Sequence, residues 1–195
     1  MADVYTFGPT FRAENSHTAR HLAEFWMIEP EICFADLSDD MALAEDYVKF
    51  CTSYALEHCA DDLAFLEEGF PQGEKGLRQR LQNVIEHDFA QITYTDAIKL
   101  LQADVSAKKV KFEKYPNWGD DLGSEHERYI CEKVSEGNCA CFGYFFQVYA
   151  KPTIVINYPK GIKAFYMKLN EDNLTVAAMD ILVPKIGELI GGSQR

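Results

Sequence analysis

The feature that most constrains the fold is a pair of alternating segments that flank a polar loop near the amino terminus. Tyr5, Phe7 and Phe11 alternate with polar or small residues before the loop, and Phe25 and Met27 lie in a similar segment after it. A period of two is typical of half-buried strands. The loop at 15–21 is polar and basic and contains no acidic residue. The sequence therefore predicts an antiparallel hairpin with a polar loop.

Two residues of this hairpin can contact a nucleotide. Arg12 lies at the strand end beside the loop, where a guanidinium can bind a phosphate or carboxylate through two parallel hydrogen bonds. Phe25 on the returning strand offers a ring face on which a base can stack. An ordinary hairpin with a solvated loop explains the same residues without any ligand, and His17 fits that interpretation best. For Arg20, phosphate contact and a free loop charge are equally consistent.

Two long segments carry a family resemblance. The run at 7–31, FGPTFRAENSHTARHLAEFWMIEPE, resembles motif 2 of the class II aminoacyl-tRNA synthetases, in its asparaginyl form within the aspartyl, asparaginyl and lysyl subgroup. The runs NYPKGIKAFYM at 157–167 and AMDILVPKIGELIGGSQR at 178–195 resemble later segments of the same family, in the same order. The resemblance covers nearly the whole chain except about 135–150.

The fold class expected is α+β, with an antiparallel sheet flanked by helices, as in the catalytic core of that family. A length of 195 residues suits one domain. Hairpin strands mixed with a block of helices predict a sheet that is covered on one face. Strands are expected at 153–157, 164–169 and 175–182.

Helical periodicity predicts where several helices begin and which side chains they bury. A helix that begins at Ser38 or Asp39 would carry one apolar stripe, formed by Leu43, Tyr47, Phe50, Cys51, Tyr54 and His58. Thr95 is predicted to cap a helix over 96–101. Ser124 and Glu127 form a capping box that predicts a helix over 125–134.

The resemblance implies roles in ATP binding for four residues of the hairpin. Arg12 would hold the α-phosphate and the reacting carboxylate, and is the catalytic candidate. Glu14 would accept a hydrogen bond from the adenine amino group. His21 would approach the terminal phosphates, and Phe25 would stack on the adenine.

The resemblance also implies an asparagine pocket and a metal site. Glu29 would bind the amino or amide nitrogen of asparagine, and Arg195 would bind its side-chain carbonyl oxygen. A carboxylate and a guanidinium satisfy the donor and the acceptor of a neutral amide. Glu188 and Asp180 are the candidate Mg²⁺ ligands, because carboxylates supply the hard oxygen donors through which Mg²⁺ is held beside a phosphate.

Compared with that family, the chain is expected to be a truncated catalytic domain. It would begin at motif 2, so that the anticodon-binding barrel and motif 1 are missing, and motif 3 would be absent as well. Residues 1–195 are then a partial class II catalytic domain. The apolar segment SEGNCACFGYFFQVYA at 135–150 is an atypical insert, either particular to this lineage or translated intron sequence.

Charge and cysteine content limit the other possibilities. The net charge of −12 argues against a dedicated nucleic-acid-binding surface, although the acidic residues are concentrated at 36–68 and leave room for a basic tRNA surface elsewhere. The six cysteines lack zinc or disulfide spacing. No apolar run is long enough for a membrane span. The expected location is the cytoplasm or an organelle matrix.

Three functions remain in competition. The first is asparagine–tRNA ligase chemistry, with ATP, Mg²⁺, asparagine and tRNA as partners and a homodimeric full-length enzyme. The second is a relative that acts as an aspartyl-tRNA synthetase or an asparagine synthetase. The third is a non-catalytic paralogue or fragment that binds a nucleotide or an intact synthetase.

Overall fold

The computed structural model describes residues 2–15, 21–69, 73–137 and 151–195, with backbone alone at 135–137. Most of the predicted insert, from 138 to 150, and the loop residues His17 and Arg20 therefore lie outside the described residues. The chain divides into two compact units, Met1–Asp36 and Leu37–Arg195.

The first unit is the predicted hairpin. Strand β1 (Val4–Phe11) pairs antiparallel with β2 (Glu24–Glu31), in an unbroken register from Val4↔Glu31 to Phe11↔Glu24. The backbone N–H of Arg12 donates to the carbonyl of Ala23 at 3.0 Å and extends the pairing by one step toward the loop. The hairpin prediction is confirmed.

The second unit combines helices with a four-stranded sheet. Its helices are α1 (Leu37–His58), α2 (Ala60–Ala64), a π-helical turn (Phe65–Gly69), α3 (Leu77–Glu86), α4 (Tyr94–Ser106) and α5 (Ser124–Gly137). Its strands are β3 (Ala90–Thr93), β4 (Thr153–Pro159), β5 (Thr175–Val183) and β6 (Gly187–Ser193). The strand order is β3-β4-β5-β6; β3 and β4 are parallel and the other neighbours are antiparallel.

Helices cover both faces of this sheet, so the prediction of one covered face is wrong. On one face, Ala178 and Leu182 of β5 pack in a buried cluster with residues of α4 and α5. On the other face, Met179 and Ile181 pack against α1. Because successive side chains of a strand point to opposite faces, the apolar run of β5 supplies both cores.

Helix α1 buries a different stripe from the one predicted. Its core residues are Met41, Ala44 and Val48, whereas Tyr47 and Phe50 are 39% and 68% exposed. Both stripes have helical spacing, so periodicity alone does not distinguish them. The stripe that contains Ala44 packs in one buried cluster with Met179 and Ile181 of the sheet.

Two strand predictions need correction. The segment 164–169 is not a strand, and only Leu169 forms an isolated bridge, with Val176. The strand β6 was not predicted, because its sequence GELIGGS contains three glycines, which are depleted in strands. Pairing with β5, from Val183↔Gly187 to Ala178↔Ser193, gives it an extended conformation.

The cap of α4 is Thr93 rather than Thr95. The Thr93 side chain accepts a hydrogen bond from the backbone N–H of Asp96 at 3.1 Å, while the Thr95 hydroxyl accepts one from Trp118 Nε1 at 3.0 Å. The helix begins two residues earlier than predicted because Tyr94, which is fully buried, lies in its first turn.

We expect Thr93→Ala to lower the free energy of unfolding by about 1 kcal/mol, the usual cost of losing a side-chain cap. Urea denaturation followed by circular dichroism measures this change. Thr93→Ser is the matched control, because it keeps the hydroxyl and should stay within a few tenths of a kcal/mol of the wild type. A serine variant as unstable as the alanine variant would contradict the capping role.

Candidate functional site

One face of the hairpin carries three of the predicted site residues. In the β1–β2 register, Thr10 lies opposite Phe25 and Thr6 opposite Glu29. Since side chains alternate between faces, Phe25 and Glu29 share a face. The guanidinium carbon of Arg12 lies 5.4 Å from the centroid of the Phe25 ring. A cation, an aromatic ring and a carboxylate thus follow one another along a single face.

This face is open above Gly8. Gly8 lies opposite Met27 in the register, and a Cβ added at Gly8 would meet nothing within 4 Å. The Thr6 hydroxyl donates to Glu29 Oε2 at 3.1 Å and restrains that carboxylate. Thr6 is not a predicted site residue, although its position opposite Glu29 follows once the hairpin register is known.

Glu14 and His21 lie at the two ends of the polar loop. Both are exposed, and neither belongs to a strand. Their predicted contacts with adenine and with the terminal phosphates remain predictions.

The second unit brings the two candidate metal ligands together. Asp180 of β5 is paired with Gly191 of β6. A Cβ added at Gly191 would lie 3.3 Å from Asp180 Oδ1 and 3.3 Å from Glu188 Oε1. The two carboxylate oxygens therefore converge over Gly191, where the absence of a side chain leaves room for them.

A lysine neutralises part of this charge. Lys163 Nζ lies 2.7 Å and 2.9 Å from the two carboxylate oxygens of Asp180, which is 7% exposed. The same ammonium lies 4.1 Å from the centroid of the Tyr158 ring. Burial raises the pKa of Tyr158 well above its ordinary value, and the neighbouring Asp180 raises it further. Lys163 and Tyr158 have no predicted role, although both lie within the segment 157–167 that resembles the family.

This donor set fits Mg²⁺ bound together with a phosphate. Mg²⁺ is usually held in proteins by one or two carboxylates, with substrate phosphates and water completing its coordination. Asp180 and Glu188 supply two hard oxygen donors. Within the described ranges, no three histidine, cysteine, aspartate or glutamate side chains are grouped so that they could hold a metal by themselves.

The two adjacent glycines of β6 lie against different side chains on opposite faces of the sheet. Whereas Gly191 borders the two carboxylates, a Cβ at Gly192 would lie 2.6 Å from Asp40 Oδ2 and 2.7 Å from Met179 Cε. Asp40 belongs to α1, and burial raises its pKa. A side chain at 192 would therefore displace the ends of the Asp40 and Met179 side chains.

Arg195 follows the end of β6. Its guanidinium carbon lies 4.7 Å from the centroid of the Tyr166 ring, which restrains the side chain through a cation–π contact. The preceding residue, Gln194, accepts a backbone hydrogen bond from Lys168 at 2.8 Å and donates one to Ala177 at 2.9 Å. The backbone leading to Arg195 is therefore fixed against the sheet.

Other sequence-based expectations concern cysteines and membranes. Of the cysteines within the described residues, Cys33, Cys51, Cys59 and Cys131 form no disulfide. Burial raises the pKa of Cys131 to about 12.

None of the helices in the described ranges combines the length and the apolar composition needed to cross a membrane.

Comparison with known proteins identifies the family. The sequence profile of the class II tRNA synthetases for D, K and N matches residues 1–195. The chain belongs to this family of class II tRNA synthetases. The resemblance inferred from its motifs is thereby confirmed, and so is the α+β fold class.

Relatives of this synthetase-family chain include proteins named asparagine–tRNA ligase. The cytoplasmic 1 ligase of Arabidopsis thaliana is 56% identical over 195 residues, which are 100% of this chain and 31% of that protein. The ligase of Desulfitobacterium hafniense is 54% identical over 193 residues, which are 99% of this chain and 37% of that protein. The chain thus spans about a third of the length of these curated relatives.

A solved structure shares the fold of this class II chain. The asparaginyl-tRNA synthetase of Pyrococcus horikoshii, crystallised with asparaginyl-adenylate, superposes with a TM-score of 0.76 at 35% identity. The match covers 100% of this chain and 38% of that protein.

Proposed function

We propose that this chain carries the ATP-binding and asparagine-binding part of an asparagine–tRNA ligase. The main support for this proposal is one face of the hairpin. The Arg12 guanidinium, the Phe25 ring and the Glu29 carboxylate follow one another along it. These three groups complement a phosphate, a purine and an amino or amide nitrogen. The names of relatives that are more than 50% identical supply the choice of asparagine.

The reaction proposed has two steps. The carboxylate of asparagine attacks the α-phosphorus of ATP, forming asparaginyl-adenylate and releasing pyrophosphate. The terminal hydroxyl of the tRNA then attacks the acyl carbon, and AMP leaves. In the first step the protein contributes positioning and charge neutralisation.

The hairpin residues would serve this first step. Arg12 holds the α-phosphate and the attacking carboxylate, and its guanidinium neutralises the charge that builds up between them. Phe25 stacks on the adenine, Glu14 accepts from the adenine amino group, and His21 contacts the terminal phosphates. Glu29 accepts from a nitrogen of asparagine.

The residues of the second unit would bind the side-chain amide of asparagine and the metal ion. Arg195 donates to the carbonyl oxygen of the asparagine side chain. Asp180 and Glu188 would hold Mg²⁺, which when bound neutralises phosphate charge. In this arrangement Lys163 competes with the metal for Asp180, since its ammonium already contacts both carboxylate oxygens.

The proposals for the second substrate, the oligomeric state and the location rest on the same family. We propose tRNA as the second substrate, a homodimer for the full-length enzyme, and the cytoplasm as the location, since the Arabidopsis relatives are named as cytoplasmic ligases. No observation supports the organelle matrix. The aspartyl-tRNA synthetase and asparagine synthetase alternatives are not favoured, because the relatives are named for asparagine–tRNA ligation.

A non-hydrolysable asparaginyl-adenylate analogue tests the proposal directly. Calorimetry with the purified chain should show binding of the asparaginyl analogue and much weaker binding of its aspartyl counterpart. Pyrophosphate exchange into ATP with asparagine then separates a catalytic chain from a non-catalytic nucleotide-binding paralogue. Failure to bind either analogue would overturn the proposal.

The proposed ATP site makes a prediction about the hairpin. Arg12→Ala should weaken Mg-ATP binding by about 1.5–3 kcal/mol, the usual value of a hydrogen bond to a charged group. Phe25→Ala should weaken it by about 1–3 kcal/mol through lost stacking. Isothermal calorimetry measures both changes.

Phe7→Ala is the matched control for this prediction. Phe7 lies opposite Ile28, so it occupies the other hairpin face, where its ring packs edge-on against Trp26 at 5.2 Å. Its replacement should leave the ATP affinity unchanged. Wild-type affinity in both the Arg12 and the Phe25 variants would show that ATP binds elsewhere.

A further inference from the structure

A buried glutamate outside the predicted site contacts the backbone of a candidate metal ligand. Glu127 of α5 is 7% exposed, and its Oε2 accepts a hydrogen bond from the backbone N–H of Glu188 at 3.2 Å. The two residues are 61 positions apart in the sequence. Because a buried carboxylate is costly unless it is hydrogen-bonded, this contact gives its position a physical reason.

The contact lies at the beginning of β6, just after the turn from β5. In the part of the chain that the structure describes, β6 pairs only with β5. The turn between them contains Lys185 with a positive φ angle of 69°, and β6 begins at Gly187 with a φ angle of 96°. The register shifts between Ile181 and Leu182. β6 is therefore an edge strand of this sheet, and its first residues follow an irregular turn. The hydrogen bond to Glu127 of α5 fixes these first residues.

The side chain of Glu188 depends on that backbone position. Its Oε1 converges with Asp180 Oδ1 over Gly191. Asp180 is independently restrained by Lys163 and by burial. A shift in the backbone at Glu188 would therefore separate the two carboxylates by moving only one of them.

We propose that Glu127 is a positioning residue for the candidate Mg²⁺ site. It accepts the Glu188 N–H and thereby presents the Glu188 carboxylate beside Asp180. It acts through this hydrogen bond, not as a third ligand, in keeping with the lack of any three-residue metal group within the described residues. The inference rests on the proposed function, which assigns Asp180 and Glu188 to the metal.

Two conservative variants separate positioning from charge. Glu127→Gln keeps the length of the side chain and a carbonyl acceptor but removes the negative charge. Glu127→Asp keeps the charge but is one methylene shorter. Positioning requires reach, so the glutamine variant should bind metal like the wild type, and the aspartate variant should bind about 10–100-fold more weakly, as is usual when a partner of a metal ligand is lost.

Mn²⁺ is the probe, because bound Mn²⁺ loses the electron paramagnetic resonance signal of the free ion. The dissociation constant is measured for the wild-type chain and each variant, well below its unfolding temperature. Glu132→Gln is the control, since Glu132 is an exposed residue of the same helix and its replacement should change nothing. A purely structural role of Glu127 would lower the unfolding temperature and leave the Mn²⁺ affinity of the aspartate variant unchanged.

The outcomes distinguish this inference from the proposed function. A glutamine variant as weak as the aspartate variant, or an aspartate variant as tight as the wild type, overturns positioning by Glu127. Glu188→Gln is the site control and should weaken Mn²⁺ binding. If Glu188→Gln binds Mn²⁺ like the wild type, the proposed metal site is itself wrong, whatever the Glu127 variants do.

Discussion

Replacing Glu29 with glutamine is expected to remove most of the preference for asparagine over aspartate that we propose for this chain. Glu29 lies on the hairpin face that also carries Phe25, and Thr6 restrains its carboxylate. Aspartate would place a second carboxylate near it. Like charges about 4 Å apart repel by about 4 kcal/mol at an effective dielectric of 20, which corresponds to about a thousandfold in affinity.

The measurement compares asparaginyl-adenylate and aspartyl-adenylate analogues in calorimetric titrations of the wild-type and Glu29→Gln chains. The glutamine variant should bind the aspartyl analogue much more tightly than the wild type does. Glu24→Gln is the matched control, since Glu24 pairs with Phe11 and lies on the other hairpin face. If the wild-type chain binds both analogues equally, the assignment of asparagine specificity to Glu29 is wrong.

Leu101→Ala is expected to lower the free energy of unfolding by about 2–5 kcal/mol. The Leu101 side chain is fully buried in the cluster that joins α4 and α5 to the sheet. Truncation removes buried methyl groups and leaves a cavity that the surrounding helices and strands fill only partly. A loss of this size is a large fraction of the stability of a typical domain.

Urea denaturation measures this loss as a lower midpoint with an unchanged slope. Leu174→Ala is the matched control, because it makes the same chemical change at a residue that is 58% exposed. The control should stay within about 0.5 kcal/mol of the wild type. Equal losses in the two variants would show that the cluster around Leu101 is not the core of the second unit.

The hairpin and the family are both predictable from the amino-acid sequence alone. The alternation of apolar and polar residues around the loop predicts the strands β1 and β2. It also predicts which side chains share a face, because every second residue of a strand points to the same side. The face shared by Phe25 and Glu29 follows from that register alone. The long runs at 7–31 and 178–195 likewise identified the class II synthetases, which the profile match confirms.

Local patterns did not determine which surfaces are buried. Helix α1 carries two apolar stripes, and only packing against β5 selects the one with Ala44 over the one with Phe50. Strand β6 was not predicted because glycine is a poor strand residue in isolation. Its extended conformation comes from pairing with β5, and Asp180 and Asp40 approach its glycines from opposite faces.

The contacts around the candidate metal site were decided only by the tertiary structure. Lys163 meets Asp180 across 17 residues, and Glu127 meets Glu188 across 61. Periodicity reports how a residue relates to its neighbours within a few turns of helix or steps of strand. Periodicity does not indicate which buried charge will lie beside which backbone N–H, because this pairing depends on how the helices pack against the sheet.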